Sequence, residues 1–126
     1  MSNVKFFICK HCGNMVEMIN ESGVPMICCG DEMDEIVANT VDASKEKHVP
    51  VITVAGNLIT VEVGAVAHPM TLEHHIAWIY LETEKGAQKK TLKIGGTPQA
   101  SFLLEDDQAI AAYAYCNLHG LWKTQL

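Results

Sequence analysis

The sequence predicts a mainly β protein in two parts, a small metal-stapled module over residues 1–37 followed by an antiparallel β-sandwich over residues 38–126. Three observations carry this expectation. Four of the five cysteines lie within the first 29 residues, a stretch too short to bury a core of its own and therefore in need of a staple. From residue 49 onward, short runs rich in valine, isoleucine, threonine and aromatics alternate with glycine-bearing turns, which is the pattern of short strands. No long amphipathic helical period competes with it.

Taken in order, residues 5–36 read as a short apolar strand, a Cys9-Lys10-His11-Cys12-Gly13-Asn14 turn, the alternating run Met15 to Ile19, a turn at Glu21-Ser22-Gly23, and Met26-Ile27-Cys28-Cys29-Gly30. The acidic stretch Asp31 to Glu35 and the polar stretch Asn39 to Ser44 are expected to form a linker, with a boundary near residue 37. Val49 to Val54 and Leu58 to Val63 flank Ala55-Gly56-Asn57, a hairpin signal. Further strands are expected over Ile76 to Thr83, Gln88 to Ile94, Ala100 to Leu104 and Ala109 to Tyr115. The alanines of Ile110 to Tyr115 would tolerate a helix, but the aromatics and the Cys-Asn turn after them favour a strand. The spacing suits a sandwich of about seven short strands.

Composition narrows the function. Hydrophobic residues make up 48% and charged residues 19% of the chain, enough for a buried core. The net charge is -6 and arginine is absent, so no basic stripe can neutralise a row of phosphates, and nucleic-acid binding is not expected. No apolar run is long enough to span a membrane, and the apolar burst before Cys9 is too short for a signal-peptide core. The expected location is the cytoplasm, where metal binding by cysteines is favoured over disulfides.

Cys9 and Cys12 have the two-residue spacing of a knuckle whose backbone amides point at the thiolates, and Cys28 and Cys29 close a set of four. Four thiolates select iron or zinc over hard cations. A zinc ribbon is the commoner use of one Cys-x2-Cys pair, yet such ribbons use a second knuckle. Adjacent cysteines must bend one strand toward a single ion, a departure that favours iron. His11, inside the knuckle, reads as an exposed loop residue.

His48, His68, His74, Cys116 and His119 come from four separate segments, as residues lining one site on a β-scaffold do. Singly, a histidine beside a proline is usually a turn residue and a lone cysteine a small buried apolar one. Jointly they point to a metal: imidazoles suit ferrous iron, and one thiolate adds electron donation along its axis. Four neutral ligands and one thiolate leave a sixth position open. His74 and His75, if they lie in a strand, face opposite ways, so at most one of them binds. The Glu46-Lys47 pair taken alone is a solvated charge pair at a linker end.

These motifs together, with Glu46-Lys47-His48-Val49-Pro50, Val63 to Met70 and Cys116-Asn117-Leu118-His119-Gly120 followed by Trp122-Lys123, resemble the desulfoferrodoxins, a family of two-iron superoxide reductases, over essentially the whole chain. The resemblance implies a desulforedoxin-like Fe(Cys)4 module and an immunoglobulin-like β-sandwich carrying Fe(His)4Cys. It implies two non-heme irons, the first held by Cys9, Cys12, Cys28 and Cys29. The second takes His48, His68, His74 and His119 in its equatorial plane and Cys116 on its axis, and no cofactor-binding residue beyond these ligands is implied. Glu46 would occupy the sixth position in the ferric resting state, Lys47 would sit over it, and His75 is not a ligand. The activity implied is reduction of superoxide to hydrogen peroxide without dismutation, with a rubredoxin or similar small redox protein as donor and a homodimer as the assembly. Ala114 and Leu121 depart from frequent outer-shell residues of the family, which bears on tuning of the thiolate. The rival readings are a two-centre electron-transfer protein without substrate chemistry and a structural zinc module.

Overall fold

The β-branched and aromatic runs form strands throughout, and one four-residue turn of helix is the sole helix among the described residues. The structure, a computed structural model, describes residues 4–126. The chain divides into two units, residues 1–37 and 38–126. No helix is long and apolar enough to cross a membrane.

In the first unit, β1 (Phe6–Ile8), β2 (Met15–Glu17) and β5 (Asp34–Ile36) form an antiparallel sheet in the order β2-β1-β5, while β3 (Ile27–Cys28) and β4 (Asp31–Glu32) form a separate two-residue ladder. Phe7 lies opposite Val16 on one side and Glu35 on the other. The acidic stretch expected as linker is therefore strand: Asp31 pairs with Cys28, and Asp34 pairs with Ile8. Exposed carboxylates suit edge strands, because they leave the backbone free to pair while discouraging further association. Among the described residues, Phe6, Cys9 and Met33 are the buried apolar side chains of this unit. That is too little burial for a fold held by hydrophobic contact alone.

The second unit opens on irregular chain from Ala38 to Ser44. Here Asn39 docks beside the last strand, donating from its backbone to Leu121 O at 2.9 Å and accepting on Oδ1 from Lys123 N at 2.9 Å. The helical turn α1 (Lys45–His48) follows. Then β6 (Pro50–Ala55), β7 (Leu58–Val63) and β10 (Gln99–Leu103) make a sheet in the order β10-β7-β6. The second sheet, in the order β12-β11-β8-β9, comprises β8 (Ile76–Thr83), β9 (Ala87–Thr91), β11 (Ala109–Cys116) and β12 (Gly120–Gln125). All pairings are antiparallel. The two sheets form the expected immunoglobulin-like sandwich, with alternate residues facing inward: Ile59, Val61 and Val63 from β7 and Phe102 from β10 meet Ile79, Leu81, Ala112, Ala114 and Cys116. The hairpin at Gly56, which sits at φ +63°, joins β6 to β7 as its residues foretold.

The strand β12 was not anticipated. Its sequence, Gly-Leu-Trp-Lys-Thr-Gln, alternates only weakly, and its role is to return from the Cys116 turn and pair with β11 from Ala111 to Cys116.

Side chains of β9 also satisfy backbone carbonyls of the edge strand β10: Gln88 Nε2 donates to Leu103 O at 3.0 Å and Lys90 Nζ donates to Ser101 O while lying over the Phe102 ring. Replacing both by alanine should lower stability to urea by about 1–3 kcal/mol and increase association through the uncovered edge. Unchanged urea midpoint and unchanged light scattering in the double variant would show that this seam carries no weight.

Candidate metal centres

Neighbouring residues of an extended strand point to opposite faces, so Cys28 and Cys29 can share a site only if the chain turns between them. It does: Cys29 takes φ +53° and Gly30 φ +81°, a left-handed bend between β3 and β4. A non-glycine residue in that region is uncommon. On the other side the knuckle closes through Cys9 N to Asn14 O at 2.8 Å and Gly13 N to Cys9 O at 2.9 Å. The four sulfurs lie within 4.8 Å of one another. Asn14 adds two donors, its backbone N–H to Cys12 Sγ at 3.5 Å and its carboxamide to Cys28 Sγ at 3.7 Å.

The protons of these thiols are unevenly held. The backbone N–H of Cys12, with help from that of His11, pulls Cys9 down to about 6. Cys29 is pushed up to about 12, first by hydrogen bonding to Cys12, and Cys28 is raised for the same reason. One sulfur, that of Cys9, is thus stabilised as thiolate chiefly by backbone N–H groups, while Cys28 and Cys29 hold their protons. A cation at the centre replaces those protons and lets all four ionise, so the donor set fits a thiophilic metal.

The second group is assembled from loops at one end of the sandwich. α1 turns His48 inward, buried, while Glu46 and Lys47 stay exposed. His68 follows the Gly64–Ala67 turn and is tied back by His68 N to Val63 O at 2.8 Å. His74 lies in the loop before β8, Cys116 ends β11 fully buried, and a tight turn to Gly120, at φ +78°, presents His119.

Two of the rings have their tautomer fixed by carbonyls. His48 Nδ1 lies 2.6 Å from Ser44 O and His68 Nδ1 lies 2.7 Å from Pro69 O. A carbonyl only accepts, so both Nδ1 atoms carry the hydrogen and both Nε2 atoms are bare lone pairs in the neutral rings. Those two Nε2 atoms face each other at 3.1 Å. His119 Nδ1 is 3.1 Å from His48 Nε2 and 3.8 Å from Cys116 Sγ. The ligating atoms of His48, His68, His74 and Cys116 all lie within 4.8 Å of one another, and His74 Nε2 is buried without a hydrogen-bond partner. Burial, reinforced by the neighbouring imidazoles, lowers His68 to about 4 and also depresses His48 and His74. Neutral rings with converging lone pairs and one orphaned nitrogen are what a metal ion requires. The first group fits an Fe(Cys)4 centre in donor type and number, and the second, three imidazoles and a sulfur with His119 alongside, is consistent with an Fe(His)4Cys centre.

The remaining candidates are placed as follows. Lys47 stands close enough that its charge contributes to depressing His48 and His74. The Glu46 carboxylate makes no hydrogen bond or ion pair among the described residues, whereas its backbone carbonyl accepts from Val66 N at 3.1 Å. Gly64 backs this turn so closely that a Cβ there would lie 2.6 Å from Glu46 O and 2.9 Å from Lys47 C. His75 stands apart from the converging nitrogens, with Nδ1 against the carbonyls of Thr71 and Leu72 at 3.0 and 3.2 Å. His74 and His75 precede β8 instead of lying in it, so loop geometry and not strand alternation separates them. His11 is exposed, with Nε2 against Asp31 Oδ2.

Sequence reasoning missed the carbonyls of Ser44 and Pro69, which carry no side-chain signature. It also gave no role to Trp122, which stacks on His48 with ring centroids 5.0 Å apart and donates from Nε1 to His119 O at 3.1 Å.

Two family models match the chain, "Desulfoferrodoxin, N-terminal domain" over residues 2–36 and "Desulfoferrodoxin" over residues 40–125. A desulfoferrodoxin of Nitratidesulfovibrio vulgaris is 45% identical over 121 residues, 96% of this chain and 95% of its own length. Among solved structures, the superoxide reductase of Treponema pallidum aligns with a TM-score of 0.83 at 42% identity, covering 98% of this chain and 100% of that one. The one-iron superoxide reductase of Giardia intestinalis aligns with a TM-score of 0.56 at 36% identity over 65% of this chain and 98% of its own.

Because so few apolar side chains are buried among the described residues of the first unit, removing a thiol-bound metal should unfold that unit and leave the sandwich folded. Amide exchange measured after chelation checks this: amides from Phe6 to Ile36 should exchange at unfolded rates while those of β8 and β11 stay protected. Full protection of both units in the metal-free protein would contradict it.

Proposed function

The chain belongs to the desulfoferrodoxin family, and on that premise we propose that it is a superoxide reductase, converting one superoxide, one electron and two protons into one hydrogen peroxide. The observation that carries this reading is the convergence of the imidazoles of His48, His68 and His74 with the buried sulfur of Cys116, with His119 beside them through Nδ1. Iron held by these residues would supply the electron and a Lewis-acidic point for a small anion.

The protein's own contribution is to hold and shape that position. His48, His68 and His74, kept neutral by burial, offer uncharged nitrogens, and the Cys116 sulfur is the one anionic donor beside them. Trp122 stacks on His48 and donates to the backbone of His119, holding both rings in place. On the solvent side Lys47 supplies a local positive potential that a chain of net charge -6 otherwise lacks, attracting the anion and holding a proton at Nζ for a water to relay. Glu46, one residue away and exposed, is the group that covers the position once product has left. The four-thiol centre, with two exposed cysteines, stores or passes the electron. By family resemblance the donor is a rubredoxin-like protein and the assembly a homodimer.

The experiment that tests this is rapid mixing of the fully reduced protein with a superoxide pulse. Oxidation of the histidine–thiolate centre within the mixing event supports the reductase. If that centre stays reduced while electrons leave through the thiolate centre, the protein is an electron carrier. A colourless, zinc-loaded protein would support the structural module.

Lys47→Ala should slow association with superoxide by about tenfold or more and flatten its dependence on ionic strength, as read from the second-order rate over a salt series. Cys116→Ser should damage turnover far more than Glu46→Ala, which should leave the oxidation rate near that of the parent protein. Gly64→Ala should reproduce part of the Lys47 defect, because the added methyl displaces the turn that carries Lys47. A Gly64→Ala protein with the parental rate and salt slope would show that the close packing has no bearing on Lys47.

A further inference from the structure

His74 differs from the other imidazoles in how it is held. His48 and His68 have their rings anchored through Nδ1 to carbonyls; no such anchor holds the ring of His74 among the described residues, and its buried Nε2 is unpartnered. Its backbone, by contrast, is fixed on every side. Asn117, next to Cys116, accepts on Oδ1 from His75 N at 2.8 Å, donates from Nδ2 to Glu73 O at 2.9 Å, and donates from its own N to His75 O at 3.2 Å. Thr71 completes the set: its hydroxyl accepts from His74 N at 3.1 Å and donates to His74 O at 3.1 Å, and Thr71 N donates to the same carbonyl at 2.9 Å. The polar backbone groups flanking and belonging to His74 are thus satisfied by two side chains and two amides, which is unusual economy for an irregular loop, where such groups ordinarily turn to water.

We propose that Asn117 and Thr71 are positioning residues for the second centre, with the Asn117 carboxamide straddling His74 like a short strand and locking the loop 71–75 to the Cys116 turn. Ligands on separate elements, the loop before β8 and the end of β11, are thereby held at fixed separation. Neither side chain touches the metal position. Backbone clamping replaces for His74 the carbonyl anchor that His48 and His68 receive, and outer-shell partners of this kind set how firmly a ligand holds. The inference rests on reading His74 as a ligand.

The test uses the full-length, iron-loaded protein and compares iron loss to excess chelator at the two centres, followed by the separate absorptions of the thiolate centre and the histidine–thiolate centre. Asn117→Ala and Thr71→Val should each speed loss from the second centre by about 10- to 100-fold and leave the first centre unchanged as an internal control. Thr71→Ser, which keeps the hydroxyl, should restore nearly the parental rate. In a His74→Ala background, Asn117→Ala should add no further loss, because the two act through one ligand. If Asn117→Ala does not fold, Asn117→Asp, which keeps the acceptor and removes the donor to Glu73 O, is measured in its place. Lowered thermal stability with parental iron retention, or a full additional loss in the His74→Ala background, overturns the proposal while leaving the ligand reading intact. Parental iron retention in His74→Ala itself overturns the ligand reading, and the proposal with it.

Discussion

Two bare imidazole nitrogens, those of His48 and His68, face each other across 3.1 Å, and most of the second unit can be understood as the means of keeping them there. Each ring has already committed its one proton to a carbonyl, so neither can donate to the other. Two buried lone pairs at that distance repel, and burial blocks the simplest escape by making the protonated rings unfavourable. A cation between them converts the repulsion into coordination. The nearby sulfur of Cys116 and the orphaned nitrogen of His74 are drawn into the same solution.

The scaffold meets this constraint by division of labour. The sandwich supplies one rigid element, the end of β11 with Cys116 fully buried in the core, and the imidazoles come from four separate stretches of chain around it. Loops alone would place them poorly, so each is tied down by a different device: a helical turn for His48, a backbone bond to β7 for His68, side-chain clamps for His74, a tight turn under Trp122 for His119. The first unit solves a related problem with far less material. Its sulfurs come from one knuckle and one left-handed bend, and it buries few apolar side chains, where the sandwich has a large hydrophobic core that reaches the site at Cys116.

How far the sequence could be read follows from the same physics. Residue types that bind metals are rare and chemically distinctive, so the cysteines and histidines that gather in the two groups could be picked out as candidates from identity and spacing. Strands with strong β-branched alternation, such as Leu58 to Val63, were equally plain. The acidic strands β4 and β5 were hidden because charge on an edge strand looks like charge in a linker, and β12 was hidden because its pattern is weak and its pairing comes from the turn before it. The features that aim the rings are backbone carbonyls, the absence of a Cβ at Gly64 and the two faces of one carboxamide. None of these announces itself in residue type, and all require the fold to be in place before they have meaning.

The proposed function depends on where the electron goes when superoxide meets the histidine–thiolate centre. A reductase passes one electron to each superoxide; a dismutase divides two superoxides between oxidation and reduction; a carrier leaves superoxide to its own chemistry. The decisive measurement is the stoichiometry of peroxide and oxygen formed when a known quantity of superoxide is consumed by excess reduced protein. The account predicts one hydrogen peroxide for each superoxide, one oxidised iron for each peroxide and no oxygen evolved. One peroxide for every two superoxides, with oxygen released in equal amount, would contradict it.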